Sequence, residues 1–165
     1  EIEGYPALTI CHGTPDNLSG NFRLDHDLRV KIMQSLTTHY LLGGHTHHQE
    51  VWKYQNKTYL NPGSLGLAID GIGGRAEFAI LHGEKKDWRS KLISISYHVD
   101  EFLQDFTAFG LDECGMIFNK AVKKSILTGH NYCYDLVCEA EGLFDMDFQN
   151  MTEENCKQVA DKLGL

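Results

Sequence analysis

The sequence predicts a mixed α/β (α+β) fold, with a sheet-forming first part and a helical last part. Three observations carry that reading. Short apolar runs at residues 7–11 and 40–42 flank a helical repeat, as in a strand–helix–strand unit. Residues 51–60 and 76–97 hold two pairs of β-patterned runs, each pair broken by a turn sequence. From about Val99 onward the apolar spacing is helical.

The first run, Ala7-Leu8-Thr9-Ile10-Cys11, is rich enough in β-formers to be a buried strand. It ends at His12-Gly13-Thr14-Pro15-Asp16-Asn17, a loop by its Gly, Pro and Asx content. Open α/β folds place ligand-binding groups at the carboxyl ends of strands, where His12 falls. From Asp25 to about Thr38, Leu28, Ile32 and Leu36 recur every four residues, with Asp25 and Asp27 at the end where a helix dipole favours acids. Tyr40-Leu41-Leu42 reads as a second buried strand, and it delivers Gly43-Gly44-His45-Thr46-His47-His48-Gln49. Two glycines let the backbone turn sharply before the histidines. In an extended segment His45 and His47 face one way, and neutral imidazole is the commonest protein metal ligand. If the two strands lie side by side, His12 joins His45 and His47 at one edge.

Val51-Trp52-Lys53-Tyr54 alternates, Gln55-Asn56-Lys57 turns and Thr58-Tyr59-Leu60 returns, which predicts a hairpin ending in the turn Asn61-Pro62-Gly63-Ser64. After a glycine-rich loop at 70–74, residues 76–81 and 92–97 form another hairpin around 83–86, and the whole reads as an antiparallel meander. Helices follow: Val99, Phe102, Leu103, Phe106 and Phe109, closed by Gly110; then about 116–127; then 134–140; and a last one from Thr152 that buries Cys156, Val159, Ala160 and Leu163. Residues 1–98 and 99–165 are read as one domain, the second part a helical extension packed on the first without a core of its own.

Composition bounds the function. At 165 residues and 42% apolar content, one globular domain with a substantial core is expected. The formal charge of −8 excludes the basic footprint of a nucleic-acid or anionic-membrane binder. No apolar run approaches the length of a membrane span, and no signal-peptide pattern opens the chain. Cys11, Cys114, Cys133, Cys138 and Cys156 are odd in number and form no CxxC pair, which suits buried free thiols in a reducing cytoplasm. Cys11 is read as strand packing. The opening Glu1-Ile2-Glu3-Gly4-Tyr5 reads as a chain entered part-way through a domain.

Three motifs stand in order: Cys11-His12-Gly13-Thr14-Pro15, Gly44-His45-Thr46-His47, and Asn61-Pro62-Gly63-Ser64-Leu65-Gly66. Together they resemble the calcineurin-like metallophosphoesterases, and more closely the small bacterial branch of YfcE-type phosphodiesterases. The match covers residues 5–97, and Leu127-Thr128-Gly129 is similar to an extension in some of these proteins. The resemblance implies a four-layer αββα sandwich with a two-metal site at the strand ends. It implies that His12 and His45 bind one metal, His47 the other, and that the Asn61–Ser64 turn is a structural loop beside them. His48 matches no ligand position. The family's Asp-x-His, Gly-Asp and Gly-Asn-His motifs are absent; Asp25-His26-Asp27 opens a helix instead. The chain therefore looks like the C-terminal portion of such an enzyme. No catalytic residue is assigned within it, because the general-acid histidine belongs to the missing part. The complete protein would use two divalent transition-metal ions (Mn, Fe, Zn or Ni) on a small phosphoester substrate, with no nucleic-acid or membrane partner and assembly of copies left open.

A two-metal site needs ions about 3.5–4 Å apart. Three histidines with no bridging carboxylate cannot fix that spacing, although they could hold one zinc-like ion. The expectation is a chain that alone binds at most one metal weakly and turns over no phosphodiester. Two alternatives remain: a non-catalytic scaffold on the same fold, as in the retromer scaffold subunit, and a mononuclear zinc protein of unrelated fold. Asp16, Asn17 and Asp70 sit in turns that use them for backbone reasons. His82 and His98 are read as surface residues, His130 as a helix-end histidine, and Asp145 and Asp147 as a solvated loop.

Overall fold

β1 (Leu8–Ile10) and β2 (Tyr40–Leu42) lie parallel, with Leu8 opposite Tyr40 and Ile10 opposite Leu42. The computed structural model describes residues 2–23, 25–113 and 116–165, of Met116 the backbone only; Cys114 lies outside the described residues. Its residues fall into two compact units, Glu1–Ala68 with Ala76–Ile95 and Ile69–Arg75 with Ser96–Leu165. Among the described residues no helix is long and apolar enough to cross a membrane.

In the first unit, β3 (Gln49–Tyr54) and β4 (Lys57–Pro62) form the expected hairpin, Val51 facing Leu60 and Trp52 facing Tyr59. The meander is corrected here. β4 pairs parallel with β2, giving the order β1-β2-β4-β3, while β5 (Arg75–Glu84) and β6 (Asp87–Ser96) form a separate two-stranded sheet. Tyr59, Leu60 and Asn61 are buried, as suits a strand with neighbours on both sides. The second hairpin turns at Lys85 and Lys86, both at positive φ (50° and 63°), the backbone that a two-residue turn matched to strand twist requires. Gln49 joins the sheets: its Nε2 donates to the carbonyls of Pro62 (3.2 Å), Phe78 (3.0 Å) and Ile93 (2.9 Å).

α1 (His26–Ser35) starts where Asp25 Oδ1 accepts the amides of Asp27 and Leu28, but stops short of Thr38. Its buried residues are Ile32 and Met33, whereas Leu28 is 37% exposed. The inward face is shifted by one position because it also seats Arg29. That guanidinium lies 4.4 Å from the Trp52 ring centre and 5.1 Å from that of Phe22, and pairs with Glu50 at 2.7 Å. Phe22, Ile32, Met33, Leu41 and Tyr59 make the core, with Phe22 stacked on Tyr59 at 3.9 Å.

Lys57 explains where α1 ends. Its Nζ donates to the carbonyls of Met33 (2.6 Å), Gln34 (3.3 Å) and Leu36 (2.6 Å), so one cation serves the orphan carbonyls and the negative end of the dipole. Lys57→Met keeps the aliphatic stem and is expected to lower stability by about 1–2 kcal/mol. Urea unfolding would read this as a lower midpoint at unchanged slope. An unchanged midpoint would show the cap to be idle.

In the second unit, α2 (Val99–Ala108), α3 (Met116–Thr128), α4 (Tyr132–Phe144) and α5 (Glu153–Leu163) follow the expected order, with α4 longer than residues 134–140 at both ends. Asn131 caps α4 by accepting the Tyr134 amide, and Asp147 caps an unforeseen 3-10 turn, Phe148–Asn150, by accepting that of Gln149. Contrary to expectation this unit has an apolar core of its own: Ile117, Ala121, Leu136, Ala140, Val159 and Ala160. The three alanines let helices approach closely enough for a small core to close. The glycine-rich loop belongs here too. Asp70 Oδ1 accepts the amides of Ile72 and Gly73, while Gly71 and Gly74 donate to the carbonyls of Gly129 and Ile126.

Candidate metal centre

Parallel pairing of β1 and β2 brings their carboxyl ends, and hence both histidine loops, to one edge of the sheet. Cys11 N–H donates to the Leu42 carbonyl (3.0 Å) and Gly44 N–H to the His12 carbonyl (2.8 Å), so the loops are zipped together by their main chains. The first loop is closed by Thr14 and Asn17, which exchange both main-chain hydrogen bonds (2.8 and 3.2 Å). Thr14 Oγ1 donates to Asp16 Oδ1 (2.9 Å), and Asn17 Oδ1 accepts the Ser19 amide (3.0 Å). Both side chains thus serve the turn, as expected.

The second loop is not extended. His45 and His47 both sit at positive φ (66° and 57°), and Thr46 N–H donates to the Gly44 carbonyl (2.7 Å), closing a tight turn centred on His45. The inference that i and i+2 face one way along a strand is therefore corrected. Left-handed backbone at two non-glycine residues costs on the order of 1 kcal/mol or more each, and it persists only where the surroundings impose it. Asn61 imposes it. Fully buried, its Nδ2 donates to the Gly44 carbonyl (3.0 Å), Thr46 Oγ1 (3.0 Å) and the Tyr59 hydroxyl (3.3 Å), while its Oδ1 accepts the Gly63 amide (3.0 Å). Beneath the loop, a Cβ on Gly43 would meet the Tyr59 ring at 2.8 Å, so only glycine fits there.

His12 Nε2 and His45 Nδ1 stand 3.3 Å apart, with the rings edge to face. The two nitrogens are within hydrogen-bond reach, and the tautomers decide which one donates. Two imidazole nitrogens binding one tetrahedral ion at about 2.0–2.1 Å each are themselves about 3.3 Å apart. The pair has the spacing of two ligand positions on a single ion. His47 is more deeply set: burial pushes its pKa below the ordinary value, a hydrogen bond with the Leu67 main chain opposes that, and His45 and His12 lower it further. The neutral form is the one that binds metal. Among the described residues no group of three or more His, Cys, Asp or Glu side chains is arranged to hold an ion. Cys11 is no ligand candidate: burial pushes its thiol up, and Sγ points to the Gly13 carbonyl at 3.4 Å.

The sequence model of the calcineurin-like phosphoesterase superfamily domain matches residues 1–86. The chain belongs to that family. Calcineurin-like phosphoesterases generally use divalent metals, and the reading as a zinc protein of unrelated fold is thereby overturned. In fold the chain is similar to the crystal structure of a hypothetical protein from Pyrococcus horikoshii (TM-score 0.62, 18% identity, covering 79% of this chain and 50% of that one). It is also similar to a metallophosphoesterase from Sphaerobacter thermophilus (TM-score 0.58, 19% identity, covering 78% and 56%). The chain thus spans about half the length of these two proteins. No curated protein matches it.

The remaining histidines and acids lie elsewhere. His82 and His98 are exposed, and His130 pairs with Asp135 at 2.6 Å. Among the described cysteines Cys11, Cys133 and Cys156 are half-buried, but Cys138 is exposed, against the expectation of buried thiols. What the sequence reading missed is Asn61 as the residue that shapes the loop. Its signal was there, a polar side chain inside the buried run Tyr59-Leu60-Asn61.

Proposed function

We propose that this chain is the C-terminal portion of a metal-dependent phosphoesterase, of the YfcE-type phosphodiesterase branch, in which His12 and His45 hold one divalent ion and His47 contributes to the second. The observation that carries the reading is the 3.3 Å separation of the His12 and His45 nitrogens at the strand ends of a calcineurin-like domain. Mn, Fe, Zn and Ni all suit imidazole with carboxylate and water. When bound, such ions supply Lewis-acid polarisation of phosphoryl oxygens and a more acidic water. The chain's own residues do the positioning. His12 and His45 present two nitrogens to one point, His47 stays neutral in its half-buried place, and Asn61 fixes the turn that aims them. The general acid and the bridging carboxylate come from outside this set. In support, β1 is an edge strand and Ile10 on it is 72% exposed, as suits a sandwich completed by further strands. The thiols of Cys11, Cys133, Cys138 and Cys156 are unbridged, which accords with a cytoplasmic protein.

Assay of the chain with Mn²⁺ and bis(p-nitrophenyl) phosphate is expected to give no turnover above the metal-only blank. Robust turnover would overturn the incompleteness. The non-catalytic scaffold is the second reading, favoured by the lack of a three-ligand group among the described residues. Titration with Zn²⁺ or Mn²⁺ separates the two: a single weak site supports the phosphoesterase portion, and no binding at millimolar metal supports the scaffold.

A further inference from the structure

The two units differ sharply in charge. The helical unit carries fourteen Asp and Glu against six Lys and Arg, and the other unit carries nine of each, so the whole formal charge of −8 falls on the helical unit. Several of the helical lysines are engaged locally. Lys124 Nζ donates to the carbonyls of Leu163 (2.8 Å) and Gly164 (3.1 Å), Lys123 pairs with Asp112, and Lys162 pairs with Glu139.

Into this acidic surface opens an apolar cleft of about 580 Å³ between α3, the 3-10 turn and the start of α5. Ile117 and Leu136 form its floor, and Phe118, Phe148 and Met151 its walls, with the two phenylalanine ring centres 6.5 Å apart. Glu113 and Glu153 stand on its lining. The walls are held in place: Phe148 N–H donates to Glu141 Oε1 (3.1 Å), and Met151 N–H to the Phe148 carbonyl (3.1 Å). Phe118 is nonetheless 42% exposed, a large apolar face at the cleft mouth.

We infer that this cleft docks a basic amphipathic helix of a partner protein, with apolar anchors seated between Phe118 and Phe148 and lysines or arginines facing Glu113 and Glu153. Helix-in-groove recognition needs an apolar slot for anchors spaced along one helix face and a rim of opposite charge, and both are present. A second copy of this chain would set one acidic rim against another, and nucleic acid or an anionic membrane would be repelled. A small neutral apolar ligand would leave the acidic rim without a counterpart. The inference does not depend on the metal centre, which lies in the other unit.

The probe is a fluorescent helical peptide of about 18 residues, or five turns, with Leu and Trp on one face and Lys on the other, titrated into the full chain. It is expected to bind at least about tenfold more tightly than a scrambled peptide of the same composition, because only the ordered face fits the slot. Affinity should fall about tenfold in the double variant Glu113→Gln/Glu153→Gln, and fall again as salt rises from about 50 to about 500 mM. Phe118→Ser with an unchanged circular-dichroism spectrum should weaken it likewise. Cys156 lines the cleft, so bound peptide should slow its alkylation while leaving exposed Cys138 unchanged, a readout that needs no variant to fold. Equal binding of the scrambled peptide, or alkylation of Cys156 that ignores the peptide, would overturn the inference. So would self-association by sedimentation that Phe118→Ser abolishes, which would assign the face to a second copy.

Discussion

Asn61→Ala is expected to lower folding stability by on the order of 3 kcal/mol and to release the histidine loop from its present shape. The size follows from what the side chain leaves behind. Asn61 is wholly buried, and its removal strands the Gly63 amide and the Thr46 hydroxyl and leaves the Gly44 carbonyl with the Thr46 amide alone, in a space where water cannot reach all of them. Each stranded buried group costs about 1–3 kcal/mol, and partial relaxation of the loop keeps the total below the sum. Relaxation is also the functional consequence. His45 and His47 are at positive φ because Gly44 and Thr46 on either side of the turn are held, and without the clamp both residues return to ordinary backbone. Asn61→Asp is the control of choice. It keeps the volume and can still accept the Gly63 amide, but it turns an oxygen toward the Gly44 carbonyl where a donor stood. An intermediate loss is expected. Urea unfolding measures the stability, and amide exchange across residues 43–49 reports the loop. Stability within about 0.5 kcal/mol of the parent, with protection intact, would sink the assignment of Asn61 as the clamp.

The same residue marks the limit of what the sequence discloses. That His12 and His45 come together was legible, because it needs only two adjacent parallel strands, and the apolar runs at residues 8–10 and 40–42 pair in register. Strand identity is a local property, whereas the partner of a strand is not. The alternation in Val51–Tyr54 and Thr58–Leu60 shows a hairpin but carries nothing about β4 lying against β2, which is what separates the hairpin from β5 and β6. The loop conformation was hidden for a related reason. Histidine enters left-handed backbone more readily than most residues but still uncommonly, so His45 and His47 are bent by a side chain some fifteen residues away, and spacing alone reads them as a strand. Lys57 and Arg29 were hidden as well, since a cation in a turn or on a helix reads as solvated until its partners are seen. In the helical unit Ala121, Ala140 and Ala160 carry the close approach of the core, and alanine is the residue whose burial periodicity reveals least.

The second large effect concerns metal, and it separates His12 and His45 from His47. Replacing His12 or His45 with Ala is expected to weaken binding of Zn²⁺ or Mn²⁺ to the chain by about a hundredfold or more, since loss of a supporting partner of a ligand alone costs about 10–100-fold. The double replacement should cost little beyond either single one. Two nitrogens 3.3 Å apart act on one ion as a chelate, and a lone imidazole left on the surface binds no better than free imidazole. His47→Ala should leave this first site within about threefold, because His47 belongs to a different ion in the proposed arrangement. Removing it lifts only a weak repulsion between the ion and a neighbouring ring that burial already keeps neutral. Calorimetric titration of the three single variants and the double variant resolves the pattern, and none of it requires turnover. Equal losses for all three histidines would instead mean one ion held by a triad. Such an ion would demand that the loop rearrange, since in its present shape no three of these side chains among the described residues converge. The rearrangement would itself be visible, because the loop could close on a single ion only by giving up the bonds from Asn61. Amide protection across residues 43–49 would then fall on adding metal, whereas a site built on His12 and His45 alone leaves the clamp engaged and the protection unchanged or raised.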